Sequence, residues 1–142
     1  MSVATEIAEQ FLDLTIRDIA SLSELYADHV VIEMPFAAPL FPTRRTTTRE
    51  ELRSQFTRSS GRTYTRIDNA RIHELSDPNV AIVEYDLHGT TTGSGQDFSL
   101  SYLQIITVEN GMIVHSRDYN SVAQAARAFG LEEQLIEALT QP

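Results

Sequence analysis

Asn110-Gly111-Met112-Ile113-Val114-His115-Ser116-Arg117-Asp118-Tyr119 is the stretch on which the fold reading turns. Asn-Gly is a strong hairpin signal, because both central residues of that tight turn need positive φ. The run behind it reads as a strand, and a helical stretch from Ser121 to Phe129 follows at once. Asp118 stands near the end of this otherwise apolar strand. A carboxylate there is costly to bury unless it is paired or neutralised. Asp118 is therefore a candidate for a raised pKa and for proton transfer. The alternative is an ion pair with an arginine that ties the sheet to a helix.

Upstream of the turn, three more strands follow one another: Thr63 to Leu75, Val80 to Thr92 and Phe98 to Val108. Ser76-Asp77-Pro78-Asn79 and Gly93-Ser94-Gly95 supply the turns between them. The N-terminal third reads differently. Residues 3–18 carry Val3, Ile7, Ala8, Phe11, Leu12 and Leu14 near helical spacing. Ile19 to Tyr26 suggests a second short helix with Ser21 as its N-cap. Val30 to Met34 reads as a strand stopped by Pro35, and Phe36 to Pro42 as a Pro-rich apolar loop. Thr48 opens a helix, with Glu51 completing a capping box and Leu52 and Phe56 facing inward. That helix ends near Gly61, and Leu131 to Leu139 forms a last amphipathic helix. Helices first and a meandering antiparallel sheet afterwards define an α+β domain. A curved sheet closed by helices leaves a cone with an apolar interior and one open end.

Composition narrows the chemistry. A chain of 142 residues fits one domain. No apolar run approaches the ~20 residues a membrane span needs. Met1-Ser2-Val3-Ala4-Thr5-Glu6 has no basic or apolar leader, so the expectation is a cytoplasmic protein with no membrane partner. The chain has no Cys, which removes thiolate chemistry and Cys-based metal sites. It has no Lys either, which removes Schiff-base chemistry by a lysine amine. The net charge of −9 disfavours nucleic acid as a partner. The arginines from Arg44 to Arg71 cluster, either as a locally basic surface or as a solvated face with ion pairs.

Asp77-Pro78-Asn79, Val83-Glu84-Tyr85-Asp86-Leu87-His88-Gly89, Asn110-Gly111-Met112-Ile113, Arg117-Asp118-Tyr119 and Arg127-Ala128-Phe129-Gly130 form an ordered series. With the element order, the series resembles the NTF2-like fold, its SnoaL-like group, and most closely the phenazine-biosynthesis A/B proteins. The likeness runs over roughly residues 62–130. It implies a cofactor-independent pocket protein of secondary metabolism and a homodimer, since the outer sheet face needs covering. It also implies that Asp118 takes the place of the family's pocket acid/base. The family's ligand-contacting helix His and Ser correspond to Gln55 and Ser59, and its Arg to Leu22, so a carboxylate would be gripped differently here. Limonene epoxide hydrolase, a neighbour in this fold, has a second carboxylate at the place of Asp86. Its catalytic Arg falls at Glu84, which breaks that triad.

Alternation places Ile82, Glu84, Asp86 and His88 on one face of their strand and Ala81, Val83, Tyr85 and Leu87 on the other. The epoxide-hydrolase analogy turns Glu84 and Asp86 inward beside Asp118. Carboxylates sharing a dry cavity cannot all ionise, so one would stay protonated and donate while its neighbour accepts. The catalytic candidates are thus Asp118, Asp86 and Glu84. His88, Gln55, Ser59, Tyr102, Met34 and Phe36 are the candidate substrate contacts, with Phe36, Leu40 and Phe41 as a lid or dimer contact. The other orientation, with Glu84 and Asp86 on a solvated or dimer-facing surface, stays open because strand register is not readable. No metal signature and no phosphate-binding Gly-rich loop is present, so no metal and no cofactor are expected. The functional expectation is an isomerase, cyclase or condensation enzyme acting on a small apolar carbonyl or cyclic metabolite. A ligand-binding module without turnover and a dimeric interaction domain are the alternatives.

Overall fold

A computed structural model of the protein describes residues 1–58 and 62–141. Helix α1 spans Val3–Arg17 and is capped by Ser2, whose hydroxyl accepts from the Thr5 backbone N–H at 3.1 Å. Its Ala4, Ile7, Ala8 and Phe11 are buried. A 3-10 turn, Ile19–Leu25, comes next. Ser21 is not its cap: its hydroxyl donates to the Asp18 carboxylate at 2.6 Å.

Strand β1 spans Tyr26–Glu33, starting before the apolar run that the sequence marks out. Strand β2, Arg44–Thr48, was not foreseen, because Arg44-Arg45-Thr46-Thr47-Thr48 shows no apolar alternation. It is an edge strand, where charged and β-branched residues are at home. Helix α2, Arg49–Thr57, starts as expected: Thr48 Oγ1 accepts from the Glu51 backbone N–H at 3.1 Å. In place of the reciprocal half of the capping box, the Glu51 carboxylate accepts from Oγ1 of Thr47, the residue before the cap, at 2.9 Å.

Four long strands follow: β3 (Arg62–Glu74), β4 (Val80–Thr91), β5 (Asp97–Glu109) and β6 (Met112–Asn120). Asn110 (φ 52°) and Gly111 (φ 76°) make the hairpin turn into β6. Helix α3, Val122–Phe129, is capped by Ser121 and closed by Gly130 at φ 69°, and α4 spans Glu132–Thr140. The six strands lie in the order β2-β1-β6-β5-β4-β3. The sheet is antiparallel except where β1 runs parallel to β6. Pairing of these two is possible because α2 and four strands intervene, giving the long crossover that parallel neighbours need. The α+β fold class follows the sequence reading, with a curved sheet packed on α1 and α2.

Bulges bend the sheet. One lies in β6, where Val108 pairs with Ile113 and Thr107 with His115, leaving Val114 as the extra residue. Strict alternation groups Ile113 with His115 and Arg117. The bulge instead turns Ile113 inward with Ser116 and Asp118, and Ile113 is fully buried. The core lies between this inner face, built from Ala81, Val83, Tyr85, Leu87, Leu100 and Ile106, and helices α1 and α3. Among the described residues no helix is long and apolar enough to cross a membrane.

Candidate functional site

Between the inner sheet face, α1, α2, α3 and the Pro-rich loop lies a cavity of about 460 Å³. That is within the range of small-molecule sites. Apolar and aromatic side chains from every layer line it, among them Phe11, Leu22, Ile32, Phe41, Phe56 and Phe129. The walls are mostly apolar because they are the core-facing sides of elements already fixed by burial. A few polar groups converge on it.

Asp118 reaches the cavity from β6. Ser116 Oγ donates to Asp118 Oδ1 at 2.5 Å. Gln104 pairs with Asp118 across the β5–β6 ladder and hydrogen-bonds its carboxylate. The Gln104 oxygen in turn accepts from Tyr85 Oη at 2.8 Å, which leaves its amide N–H₂ to face Asp118. None of the ion pairs among the described residues involves Asp118. The expected alternative of an arginine tether is therefore not what the structure shows. Burial pushes the Asp118 carboxyl above the ordinary carboxylate range. The Ser116 and Gln104 bonds and the charges of Arg45 and His115 pull against that rise without cancelling it.

Three phenols surround this carboxyl. Burial raises the pKa of each of Tyr26, Tyr85 and Tyr102, and Asp118 adds to the rise. All three are therefore neutral donors at physiological pH. Tyr85 donates to Gln104 and stacks on Tyr102 at 5.3 Å between ring centroids. Tyr102 bonds the Asn120 side chain. Tyr26 lines the cavity with no hydrogen-bond partner for its hydroxyl among the described residues. Arg45 also lines the cavity and donates from Nη1 to Gln55 Oε1 at 3.1 Å.

The candidates divide cleanly. Asp118, Tyr102, Gln55 and Met34 all line the cavity. Glu84, Asp86 and His88 do not, and this corrects the expectation of a shared carboxylate site. They stand on the outer sheet face, because Ala81, Val83, Tyr85 and Leu87 take the inner one at 5% exposure or less. The apolar set of the strand wins the core, so the charged set must leave it. Out there Glu84 meets His73 Nε2 at 2.6 Å. Asp86 accepts from Asn69 and from Ser101, each at 2.8 Å. His88 meets Asp68 at 3.1 Å and Ser99 at 2.8 Å. These polar bonds hold Asp86 below its ordinary range. Phe36 is 62% exposed and packs edge-on against Tyr119, so its neighbours Phe41 and Pro42, not Phe36, close on the cavity. Ser59 lies outside the described residues.

Gln104, Tyr85, Tyr26, Arg45, Arg62 and Asn120 were not singled out from sequence as site residues. Gln104 carried a signal: it is the one polar amide in the inward set Phe98, Leu100, Tyr102, Gln104 and Ile106. Among the described residues no group of three or more His, Asp and Glu side chains could hold a metal ion.

A family model described as a SnoaL-like domain matches residues 8–116. An uncharacterised PhzA/B-like protein of Pseudomonas aeruginosa is 26% identical over 113 residues, covering 80% of this chain and 79% of the relative. Solved structures superpose well. A candidate isomerase of Bacillus subtilis gives a TM-score of 0.78 at 23% identity, covering 92% of this chain and 94% of its own. A candidate polyketide cyclase of Xanthomonas campestris gives 0.72 at 17%, covering 89% and 96%. A Mycobacterium tuberculosis protein solved with estradiol-17β-hemisuccinate gives 0.71 at 19%, covering 87% and 98%. At these identities the superpositions speak for the fold alone.

Proposed function

The chain belongs to the SnoaL-like domain family, and from that premise we propose that it is a cofactor-independent acid/base enzyme with Asp118 as its proton carrier. The substrate is a small, mostly apolar carbonyl or cyclic metabolite held in the cavity. The reaction is an isomerisation, cyclisation or condensation that begins by moving a proton from carbon. The observation that carries the reading is one carboxyl of raised pKa, facing an apolar cavity and held in place by Gln104 and Ser116.

The chemistry follows from those groups. Ionised Asp118 removes a proton from the carbon beside a carbonyl, and the C–H electron pair moves toward the carbonyl oxygen. A neutral phenol near that oxygen, Tyr26 being the one with its hydroxyl uncommitted, donates a hydrogen bond to the developing enolate. Asp118, now protonated, returns the proton to another carbon of the same molecule. In a cyclisation the enolate carbon attacks a second carbonyl carbon of the substrate, its C=O π pair moves to oxygen, and Asp118 gives its proton to that alkoxide. A carboxyl with a pKa above its usual range is the better base for this step, because the proton it accepts binds more tightly. Gln104, locked by Tyr85, aims the carboxylate without adding a charge.

A second reading is binding without turnover. The outward placement of Glu84 and Asp86 favours it, since Asp118 then has no carboxylate partner. Deuterium exchange into 2-tetralone separates the two. Wild-type protein accelerates the exchange and Asp118→Asn loses it if the enzyme reading holds, by about 10²–10⁴-fold. No acceleration by wild-type protein that nonetheless binds the ketone supports the second reading.

We also propose a homodimer formed through the outer sheet face. Ile82 pairs with Ile105 there, and Leu103 lies beside Glu84, all between the polar pairs of His73, His88 and His115. Sedimentation of the wild type and of Ile105→Glu tests it, with a monomeric wild type as the contrary result.

A further inference from the structure

Arg62 occupies an unusual place for a cation in this chain. Arg17, Arg44, Arg49, Arg53, Arg66 and Arg117 each meet a carboxylate. Arg62, like Arg45, Arg71 and Arg127, meets none among the described residues, although acidic residues outnumber basic ones 20 to 11. Its guanidinium lies over the Phe129 ring at 4.3 Å and lines the cavity. Its Nε is buried with no hydrogen-bond partner among the described residues. A buried guanidinium N–H left unpaired is unfavourable, and a carboxylate is the partner whose two oxygens match its planar fork.

The register gives the distance from Arg62 to the reactive end its meaning. Gln104 faces Asp118 across the ladder, and Tyr102 faces Asn120 one inward step further along. That step is about 7 Å along the strand. Tyr102 feels both charges, Asp118 raising its pKa and Arg62 lowering it. Tyr64, two residues after Arg62 on β3, sets its ring edge-on to Phe98 and also lines the cavity. The cavity thus carries charged groups on different strands, Asp118 on β6 and Arg62 on β3, besides Arg45, whose Nη1 is bonded to Gln55.

Resting on the acid/base reading of the same cavity, we infer that the ligand is an anionic molecule, a carboxylate on an apolar ring body, whose anionic group is gripped by Arg62. Its reacting carbon then lies toward Asp118. Arg62 is the specificity-determining residue: it selects the acid over the neutral form and sets which end enters first. Phe129 holds the guanidinium plane in place from α3, so the site is shaped before the ligand arrives. The like charge of Asp118 keeps the anionic group away from the reactive end.

Calorimetric titration with 2-naphthoate and 2-naphthamide tests the inference. The two probes differ in charge and hardly in shape. Wild-type protein binds the acid about tenfold or more tighter than the amide, the range expected for a charge-assisted pair. Arg62→Gln abolishes that preference, lowering affinity for the acid toward that for the amide, while Arg62→Lys keeps part of it. Melting curves of both variants show that the fold is intact. Equal wild-type affinity for the two probes overturns the inference and leaves the cavity reading standing. So does a preference that survives Arg62→Gln but disappears in Arg45→Gln. Failure of both probes to bind the wild type removes the cavity reading and this inference together.

Discussion

Gln104 stands directly across the β5–β6 ladder from Asp118, and its carbonyl oxygen is committed to Tyr85 Oη at 2.8 Å. The amide therefore offers only its N–H₂ to the carboxylate. A neutral donor, not a second acid or a cation, is what positions Asp118. The proton affinity of Asp118 is then set by a contest between burial, which raises it, and two hydrogen bonds, which lower it.

Replacing Asp118 with Asn changes stability in a pH-dependent way. The folded carboxyl has a higher pKa than the unfolded one, so between the two values the folded chain holds a proton that the unfolded chain has lost. Wild-type stability from this group is greatest below the unfolded value and falls as pH rises toward the folded one. Asp118→Asn, which never ionises, gains on the wild type over that window and keeps its advantage above it. Thermal unfolding of both proteins from about pH 3 to 8 reads the difference. A constant difference at every pH contradicts the raised pKa.

Gln104→Leu removes a donor from Asp118 and an acceptor from Tyr85 in one step. The orphaned Tyr85 hydroxyl costs about 1–3 kcal/mol of stability. The Asp118 carboxyl, having lost one of the bonds that favour its ionised form, titrates higher still. Carbon-13 NMR of the Asp118 carboxyl through a pH series shows the shift. An unmoved midpoint means that Gln104 does not tune it.

Glu84→Gln and Asp86→Asn leave exchange into 2-tetralone and probe binding within about twofold of wild type, since neither side chain faces the cavity. Their effect is on stability. Asp86 has a lowered pKa, so its contribution is present above the ordinary carboxylate range and is lost as pH falls through the folded value. A large activity loss in either variant would bring the outer face back into the chemistry.

Gly89→Ala destabilises the fold by about 1–3 kcal/mol. A Cβ at Gly89 meets the Thr63 backbone oxygen at 2.5 Å and the Phe98 ring at 2.6 Å. The bulge between Tyr64 and Arg66 sits beside it, so β3 has no simple way to retreat. Urea unfolding measures the loss, and a neutral effect would show that the edge strand yields freely.

Local chemistry was legible in the chain. Asn110-Gly111 specifies its turn because few residue pairs tolerate two positive φ angles. Thr48 and Ser121 announce helix starts because their hydroxyls satisfy backbone N–H groups that the helix leaves open. The alternation of Phe98, Leu100, Tyr102, Gln104 and Ile106 marks the inner face of β5 without any knowledge of its neighbours. That Asp118 stands near the end of its strand was readable too, but the face it takes was not.

What the tertiary structure decided is of a different kind. β2 exists because β1 offers it an edge, and its own residues carry no apolar pattern to predict it. The bulge at Val114 depends on how β6 must bend against β5, so it moved Ile113 to the core against simple alternation. The faces of Glu84 and Asp86 were settled by which half of β4 the helices cover. The encounters of Gln104 with Tyr85 and of Arg62 with Phe129 join residues far apart in sequence. Periodicity along a chain reports which side of an element is apolar; which groups then meet across a cavity is fixed only by register and packing, which no single segment contains.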